Sequence, residues 1–123
     1  IAESIFGAVG EVVELPERHF DAITAVSGSG PAYVFFLVHM WEAAARSLGL
    51  PKAVAERAIR QTLRGSVELL GASGEAPLAL IGKVASKGGT TEAALAWLAK
   101  RRVAEHFTEA LRAAANRSKA LSF

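Results

Sequence analysis

The chain has 123 residues, of which 51% are hydrophobic and 21% charged, and its formal net charge is +2. This length suffices for one domain with a hydrophobic core. The small net charge and a single short basic cluster, Lys100–Arg102, argue against a nucleic-acid surface. The sequence contains no cysteine, which excludes disulfides and zinc–thiolate sites, and we expect a reducing, cytoplasmic location. Its three histidines are far apart and lack metal-site spacing, so we expect no metal.

The first residues have a different pattern from the rest of the chain. The stretch "IAESIFGAVGEVVELP" predicts a short helix that ends at Gly10, followed by a valine-rich strand. One helix and one strand cannot form a sheet by themselves. We therefore interpret residues 1–16 as the remnant of a preceding domain and residues 17–123 as a second domain.

Glycine and proline divide the next part of the chain into helices. A short helix is predicted at 17–26, and "SGSG" is expected to break it, with a serine capping the helix that follows. That helix, 31–48, has proline at its first position and ends before Gly49. Residues 32–41 are apolar on every side, which predicts burial in a core or against another subunit. The "SGSG" interruption argues against a membrane span.

The remaining elements are also predicted to be helical. An amphipathic helix is expected over 51–71 and a short one from Pro77, while 91–121 is one long helix or two, with the break at 100–102. The segment "SGSGPAY" has G-x-G without the third glycine and follows a helix, so it does not match a dinucleotide-binding loop. From residue 17 onwards the fold class is all-α.

The segment "SKGGTT" precedes a predicted helix and allows two interpretations. Gly88 and Gly89 permit a positive φ and leave backbone N–H groups uncovered, and Thr90 and Thr91 add hydroxyl donors. The free N–H groups and the dipole of the helix favour a carboxylate or phosphate there. The alternative is ordinary capping by Thr90 or Thr91, with Glu92 favouring the first turn. Spacing alone leaves both interpretations open.

Three segments together carry a resemblance to a known family. The segments "DAITAVSGSGPAYVFFLVHMWEAAARSLGLP", "KVASKGGTTEAAL" and "EALRAAANRSKAL" resemble the C-terminal half of the pyrroline-5-carboxylate reductases. The resemblance covers 20–121, and many members of the family have proline where Lys87 stands. Residues 1–15 resemble the last helix and strand of the family's dinucleotide-binding domain.

The resemblance implies a fold and an activity. The fold is a helical dimerisation domain in an interlocked dimer. The resemblance does not decide whether these dimers form a larger oligomer such as a decamer. The activity is reduction of 1-pyrroline-5-carboxylate to L-proline in proline biosynthesis. NADPH or NADH would be bound mainly by the N-terminal domain, so we expect this chain to be inactive alone. The composition and the interrupted apolar stretch predict neither a membrane nor a nucleic-acid partner.

The resemblance also assigns roles to the residues of the "SKGGTT" segment. The backbone N–H groups of Thr90 and Thr91 would donate to the substrate carboxylate, and the Thr91 hydroxyl would bond the ring nitrogen as the catalytic contact. Val84 would pack near the substrate ring or the nicotinamide. The residues implied to surround the substrate are Ser86, Gly88, Gly89, Thr90 and Thr91.

Two other functions compete with this one. The chain can be a purely structural helical dimerisation module. It can also be the helical domain of another Rossmann-linked imine or hydroxyacid reductase. Those enzymes usually place a lysine or an aspartate near the reacting carbon, and the sequence shows no comparable placement.

Overall fold

The computed structural model describes residues 5, 7–8 and 10–122, and every regular element within them is helical. The predicted all-α class is confirmed. The elements are a 3₁₀ turn Glu17–His19, α1 Phe20–Ile23, a π-helical turn Thr24–Gly28, α2 Gly30–Ser47, α3 Lys52–Ser73, α4 Pro77–Val84, α5 Thr90–Lys100 and α6 Val103–Leu121.

The N-terminal segment differs from the prediction. Residues 11–16 have no regular secondary structure, so the expected valine-rich strand is not formed. A strand needs a neighbouring strand to satisfy its N–H and C=O groups, and the described residues supply none. The predicted helix before Gly10 lies largely on residues 1–4, 6 and 9, outside the described residues. The domain boundary at residue 16 stays a prediction.

The expected break at "SGSG" is narrowed to Ser29, which belongs to no helix and separates a π-helical turn from α2. The expected serine cap is not formed. The Ser29 N–H donates to the Thr24 carbonyl five residues earlier at 2.9 Å. Ser29 has a helical backbone (φ −88°, ψ −12°), unlike a capping residue. The physical reason lies in Pro31, which has no N–H and whose ring would clash with the Ser27 carbonyl in a continuous α-helix. A π turn accommodates the proline while the chain remains helical up to Gly28.

Glycines follow the ends of α2 and α3. α2 ends before Gly49 as predicted, whereas α3 extends to Ser73, two residues beyond its predicted end at 71. Gly49 has φ +91°, and its N–H donates to the Arg46 carbonyl at 2.9 Å. The Leu50 N–H donates to the Ala45 carbonyl at 3.1 Å, which completes a Schellman motif. Gly74 follows α3 with φ +65°. Both glycines adopt a conformation that other residues disfavour, so the helix ends are encoded locally.

The described residues divide into two compact units: those up to residue 30 together with 110–122, and residues 31–109. In the first unit, the Ser118 hydroxyl donates to an Asp21 carboxylate oxygen at 2.8 Å and links α6 to α1. In the second, the rings of Tyr33 and Phe107 meet edge to face with centroids 5.9 Å apart.

The second unit has a small core between α2 and α3. Ala45, Ala55 and Ile59 are buried there, with Val38 and Leu63 partly buried against them. Alanine at the contact lets two helices approach closely. Ala25 is the other buried hydrophobic residue among those described. The core buries little of the chain's apolar surface.

Much of that apolar surface lies on α2. Phe35 is 70% exposed and Phe36 is 61% exposed, so the predicted burial of 32–41 is not achieved within one chain. By length and composition alone, Glu17–Ser47 is also apolar enough to cross a membrane, with a mean hydropathy of 1.3. An exposed apolar surface of this extent is typical of an interaction site.

Candidate functional site

The predicted site residues lie in and around the loop between α4 and α5. Ser86, Gly88 and Gly89 belong to the loop. Val84 is the last residue of α4, and Thr90 and Thr91 are the first two residues of α5. The Gly89 N–H donates to the Ser86 carbonyl at 2.9 Å and closes a tight turn. Gly88 is the third residue of this turn and has φ +73°. A positive φ at that position is typical of a type II turn and favours glycine. The turn therefore brings Ser86 back to the start of α5.

The two glycines are favoured for different reasons. Gly88 has the positive φ that we expected of both, whereas Gly89 has φ −86° and ψ 175°, an extended backbone open to any residue. The expectation of a positive φ is therefore wrong for Gly89. A Cβ at position 89 would overlap the Ser86 Oγ and would lie 3.0 Å from the Ser86 carbonyl oxygen. Crowding by Ser86, and not backbone conformation, disfavours a side chain there.

Neither threonine caps α5. The N-cap residue is Gly89, so Thr90, Thr91 and Glu92 are the first three residues of the helix. The alternative in which Thr90 or Thr91 caps the helix is therefore wrong. The Glu92 carboxylate instead accepts a hydrogen bond from the Gly88 N–H, one residue before the N-cap. This bond resembles the glutamate half of a capping box.

The first turn of α5 leaves several donors free. The N–H groups of Thr90, Thr91 and Glu92 have no acceptor within the described part of the chain, as expected for the first turn of a helix. The hydroxyls of Ser86, Thr90 and Thr91 likewise form no hydrogen bond with the described residues. Thr91 is half-buried and Thr90 is exposed. Free N–H groups at the positive end of a helix form a site that a carboxylate can occupy.

Charged and apolar groups flank these donors. Lys87 is exposed and forms no ion pair with the residues that the structure describes, whereas Lys83 is held by Glu75 at 2.6 Å. Val84 is 70% exposed beside the loop. Among the described residues, no three His, Asp or Glu side chains are grouped so that they could hold a metal ion.

Comparison with known proteins identifies the family. Residues 17–121 match the family described as pyrroline-5-carboxylate reductase dimerisation. The chain belongs to this family. It is 45% identical to the pyrroline-5-carboxylate reductase of Synechocystis, over 98% of this chain and 45% of that protein. The resemblance recognised in the sequence is confirmed.

Solved pyrroline-5-carboxylate reductases have the same fold. The structure from Coxiella burnetii is 41% identical and superimposes with a TM-score of 0.93, over 99% of this chain and 46% of that one. The Plasmodium falciparum enzyme, solved with NADP bound, is 33% identical with a TM-score of 0.90, over 97% of this chain and 45% of that one. The chain thus spans less than half the length of the pyrroline-5-carboxylate reductases that it matches.

One contact in this loop was missed by sequence reasoning. From the sequence alone, Glu92 is only an acidic residue that favours the first turn. The structure shows it bonded to the Gly88 N–H. Its position three residues after Gly89 is the signal that could have revealed the bond, because glutamate at this position often reaches back to the N-terminal backbone. The roles of the other site residues stay predictions.

Proposed function

We propose that this chain supplies the dimerisation surface and the substrate-carboxylate site of a reductase that converts 1-pyrroline-5-carboxylate to L-proline with NAD(P)H. The family match and the reductases similar to it support the activity. The observation that carries the site is the set of free N–H groups of Thr90 and Thr91 at the start of α5. Since the relatives are more than twice as long, we propose that other parts of a longer protein bind most of the dinucleotide.

The substrate carboxylate fits the start of α5. The N–H groups of Thr90 and Thr91 would each donate to one carboxylate oxygen, and the helix dipole would favour the negative charge. A hydrogen bond to a charged acceptor contributes about 1.5–3 kcal/mol. Two such bonds correspond to a dissociation constant of roughly 1 mM. That strength suits a small metabolite without an arginine clamp.

The reaction then needs orientation more than acid–base groups. We propose that the Thr91 hydroxyl bonds the ring nitrogen and holds the protonated C=N bond in a fixed direction. Bound NAD(P)H supplies the hydride, which adds to the carbon of that bond while the nitrogen keeps its proton as an amine. Fixing two reactants in the correct geometry contributes much of the rate enhancement of such a transfer.

The apolar side chain of Val84 fits a place beside the two rings. It is 70% exposed at the end of α4 and next to the loop that holds the proposed carboxylate donors. An apolar surface there would exclude water from the reacting atoms without competing for their hydrogen bonds. NADP in the Plasmodium structure supports the choice of a nicotinamide cofactor. The preference for NADPH or NADH would be determined by the dinucleotide-binding residues.

We propose that a second copy of the chain covers the apolar surface of α2. Four hydrophobic residues are buried among those described, while aromatic side chains such as Phe35 and Phe36 are largely exposed. The matched family is named for dimerisation, which favours a second copy over a lipid bilayer. The proposed location is the cytoplasm, with neither a membrane nor nucleic acid as a partner. Sedimentation of the complete protein distinguishes a dimer from a decamer.

The test is an activity assay of the complete reductase that contains this chain. Oxidation of NAD(P)H should depend on added pyrroline-5-carboxylate, and Thr91→Val should lower kcat while leaving the fold intact. The matched control is Thr62→Val, because the Thr62 hydroxyl bonds the Ala58 carbonyl within α3 at 2.9 Å. A correctly dimeric wild-type protein without activity would favour a structural module or another reductase. Unchanged kinetics in Thr91→Val would remove the proposed role of its hydroxyl.

A further inference from the structure

We infer that Glu92 is a positioning residue for the substrate-carboxylate site, an inference that rests on the proposed function. Glu92 belongs to α5, yet its carboxylate accepts the N–H of Gly88 in the preceding turn. The residue does not itself supply a contact to the substrate in the proposed arrangement. It links the turn to the helix whose N–H groups bind the carboxylate.

The turn needs such a link because it contains two glycines. Glycine is the residue with the greatest backbone freedom, and Gly88 uses that freedom at φ +73°. The Gly89 N–H bonds to the Ser86 carbonyl within the turn, and the Ala93 N–H bonds to the Gly89 carbonyl at 3.2 Å as the first bond of α5. The bond from the Gly88 N–H to Glu92 is the side-chain contact that fixes Gly88, inside the turn, against the first turn of α5. Loss of the Glu92 carboxylate would therefore free the loop while leaving the helix in place.

The same bond also determines which donors meet the ligand. The Gly88 N–H is occupied by Glu92, whereas the N–H groups of Thr90 and Thr91 are free. A substrate carboxylate is thus directed to the helix and away from the turn. The Glu92 carboxylate brings a negative charge close to this site, so its hydrogen bond and its charge have opposite effects on an anionic ligand. Glu92→Gln separates them, because the amide oxygen still accepts a hydrogen bond but carries no charge.

A matched control stands in the next helix. Glu105 is the third residue of α6, just as Glu92 is the third residue of α5. Its carboxylate faces the Arg102 guanidinium at 3.3 Å and not a loop N–H. Both glutamates interact equally well with a helix dipole, and only Glu92 holds the glycine turn.

The first test is steady-state kinetics of the complete reductase with varied pyrroline-5-carboxylate. Glu92→Ala should raise the KM for this substrate by about tenfold, the change expected for a lost hydrogen bond to a charged group. Its kcat and its KM for NAD(P)H should stay near the wild-type values. Glu92→Gln should restore a low KM, and Glu105→Ala should behave as wild type. If Glu92→Ala lowers only the melting temperature and leaves KM unchanged, Glu92 merely caps α5 and the inference is overturned.

The second test does not depend on activity. Amide hydrogen exchange over 85–92 should become faster in Glu92→Ala than in the wild type, Glu92→Gln or Glu105→Ala. Equal exchange in all four proteins would overturn the inference. If the wild type fails to reduce pyrroline-5-carboxylate, the proposed function falls, and the exchange comparison still decides whether Glu92 holds the loop.

Discussion

The hydroxyl oxygen of Ser86 lies where a Cβ on Gly89 would have to be placed. The Ser86 carbonyl oxygen is 3.0 Å from the same point and accepts the Gly89 N–H at 2.9 Å. Since the backbone of Gly89 is open to any residue, it is crowding by Ser86 that disfavours a side chain at position 89. The two residues act as one unit at the start of the proposed substrate site.

The first prediction follows from this contact. Gly89→Ala should displace Ser86 and open the turn, so the KM for pyrroline-5-carboxylate should rise by about tenfold or more. The double variant Ser86→Ala/Gly89→Ala should recover part of the loss, because the overlapping hydroxyl is gone while the carbonyl remains close. Gly82→Ala is the control, since a Cβ at Gly82 would have no neighbour within 4 Å in the chain. Equal kinetics in wild type and Gly89→Ala would show that the overlap does not matter.

The effect of substituting Gly88 should depend on its backbone conformation and not on crowding. A Cβ at this position would have no neighbour within 4 Å, but its φ is +73°. Gly88→Ala should therefore cost about 1–2 kcal/mol in loop stability, and Gly88→Asn should cost less, because asparagine tolerates a positive φ better. Hydrogen exchange of the loop amides measures this difference. An alanine variant that exchanges as slowly as the asparagine variant would contradict the assignment of a left-handed Gly88.

The small core between α2 and α3 gives a stability prediction. Ile59 is 4% exposed and contacts the alanines at 45 and 55. Ile59→Ala should lower the free energy of unfolding by about 2–5 kcal/mol, and Ile59→Val by about 0.5–1.5 kcal/mol. Denaturant unfolding at a fixed protein concentration provides the measurement. If Ile59→Ala lowers the free energy of unfolding by less than about 0.5 kcal/mol, which is roughly the lower limit for Ile→Val, this contact adds little stability.

The apolar surface of α2 gives a prediction about assembly. Phe35 is 70% exposed in the single chain, and we place it against a second copy. Phe35→Asp would bury a charge at that contact, so the variant should sediment as a monomer or fail to accumulate as a folded protein. Thr62→Asp, an exposed polar position on α3, should leave the oligomer intact. A stable Phe35→Asp dimer would place the interface elsewhere.

The sequence predicted helices well where a local signal marks their ends. Gly49 and Gly74 have positive φ and end α2 and α3, and the break near Lys100–Arg102 is where α5 gives way to α6. At that break the Arg102 N–H donates to the Ala99 carbonyl at 2.9 Å, and Arg102 has φ +55°. These signals act within a few residues, so one sequence suffices to find them.

The features that the sequence did not predict depend on contacts with other parts of the chain or on the space around a side chain. The π turn before Pro31 was not predicted, and it narrows the expected break to Ser29 because a helix can widen just before a proline. The preference for glycine at 89 arises from the position of the Ser86 side chain, which no residue pattern reports. The strand expected within 11–16 fails for want of a neighbouring strand among the described residues. The family resemblance, and not the helix pattern, raised the "SKGGTT" segment from a possible cap to a site.

We propose that the start of α5 binds the substrate carboxylate, and a crystal structure of the complete reductase with L-proline would show this contact or its absence. We expect the proline carboxylate within about 3 Å of the Thr90 and Thr91 backbone nitrogens. We also expect the Thr91 hydroxyl next to the ring nitrogen, with Glu92 still bonded to Gly88. A carboxylate bound by other residues, with both threonine N–H groups facing solvent, would contradict the proposal.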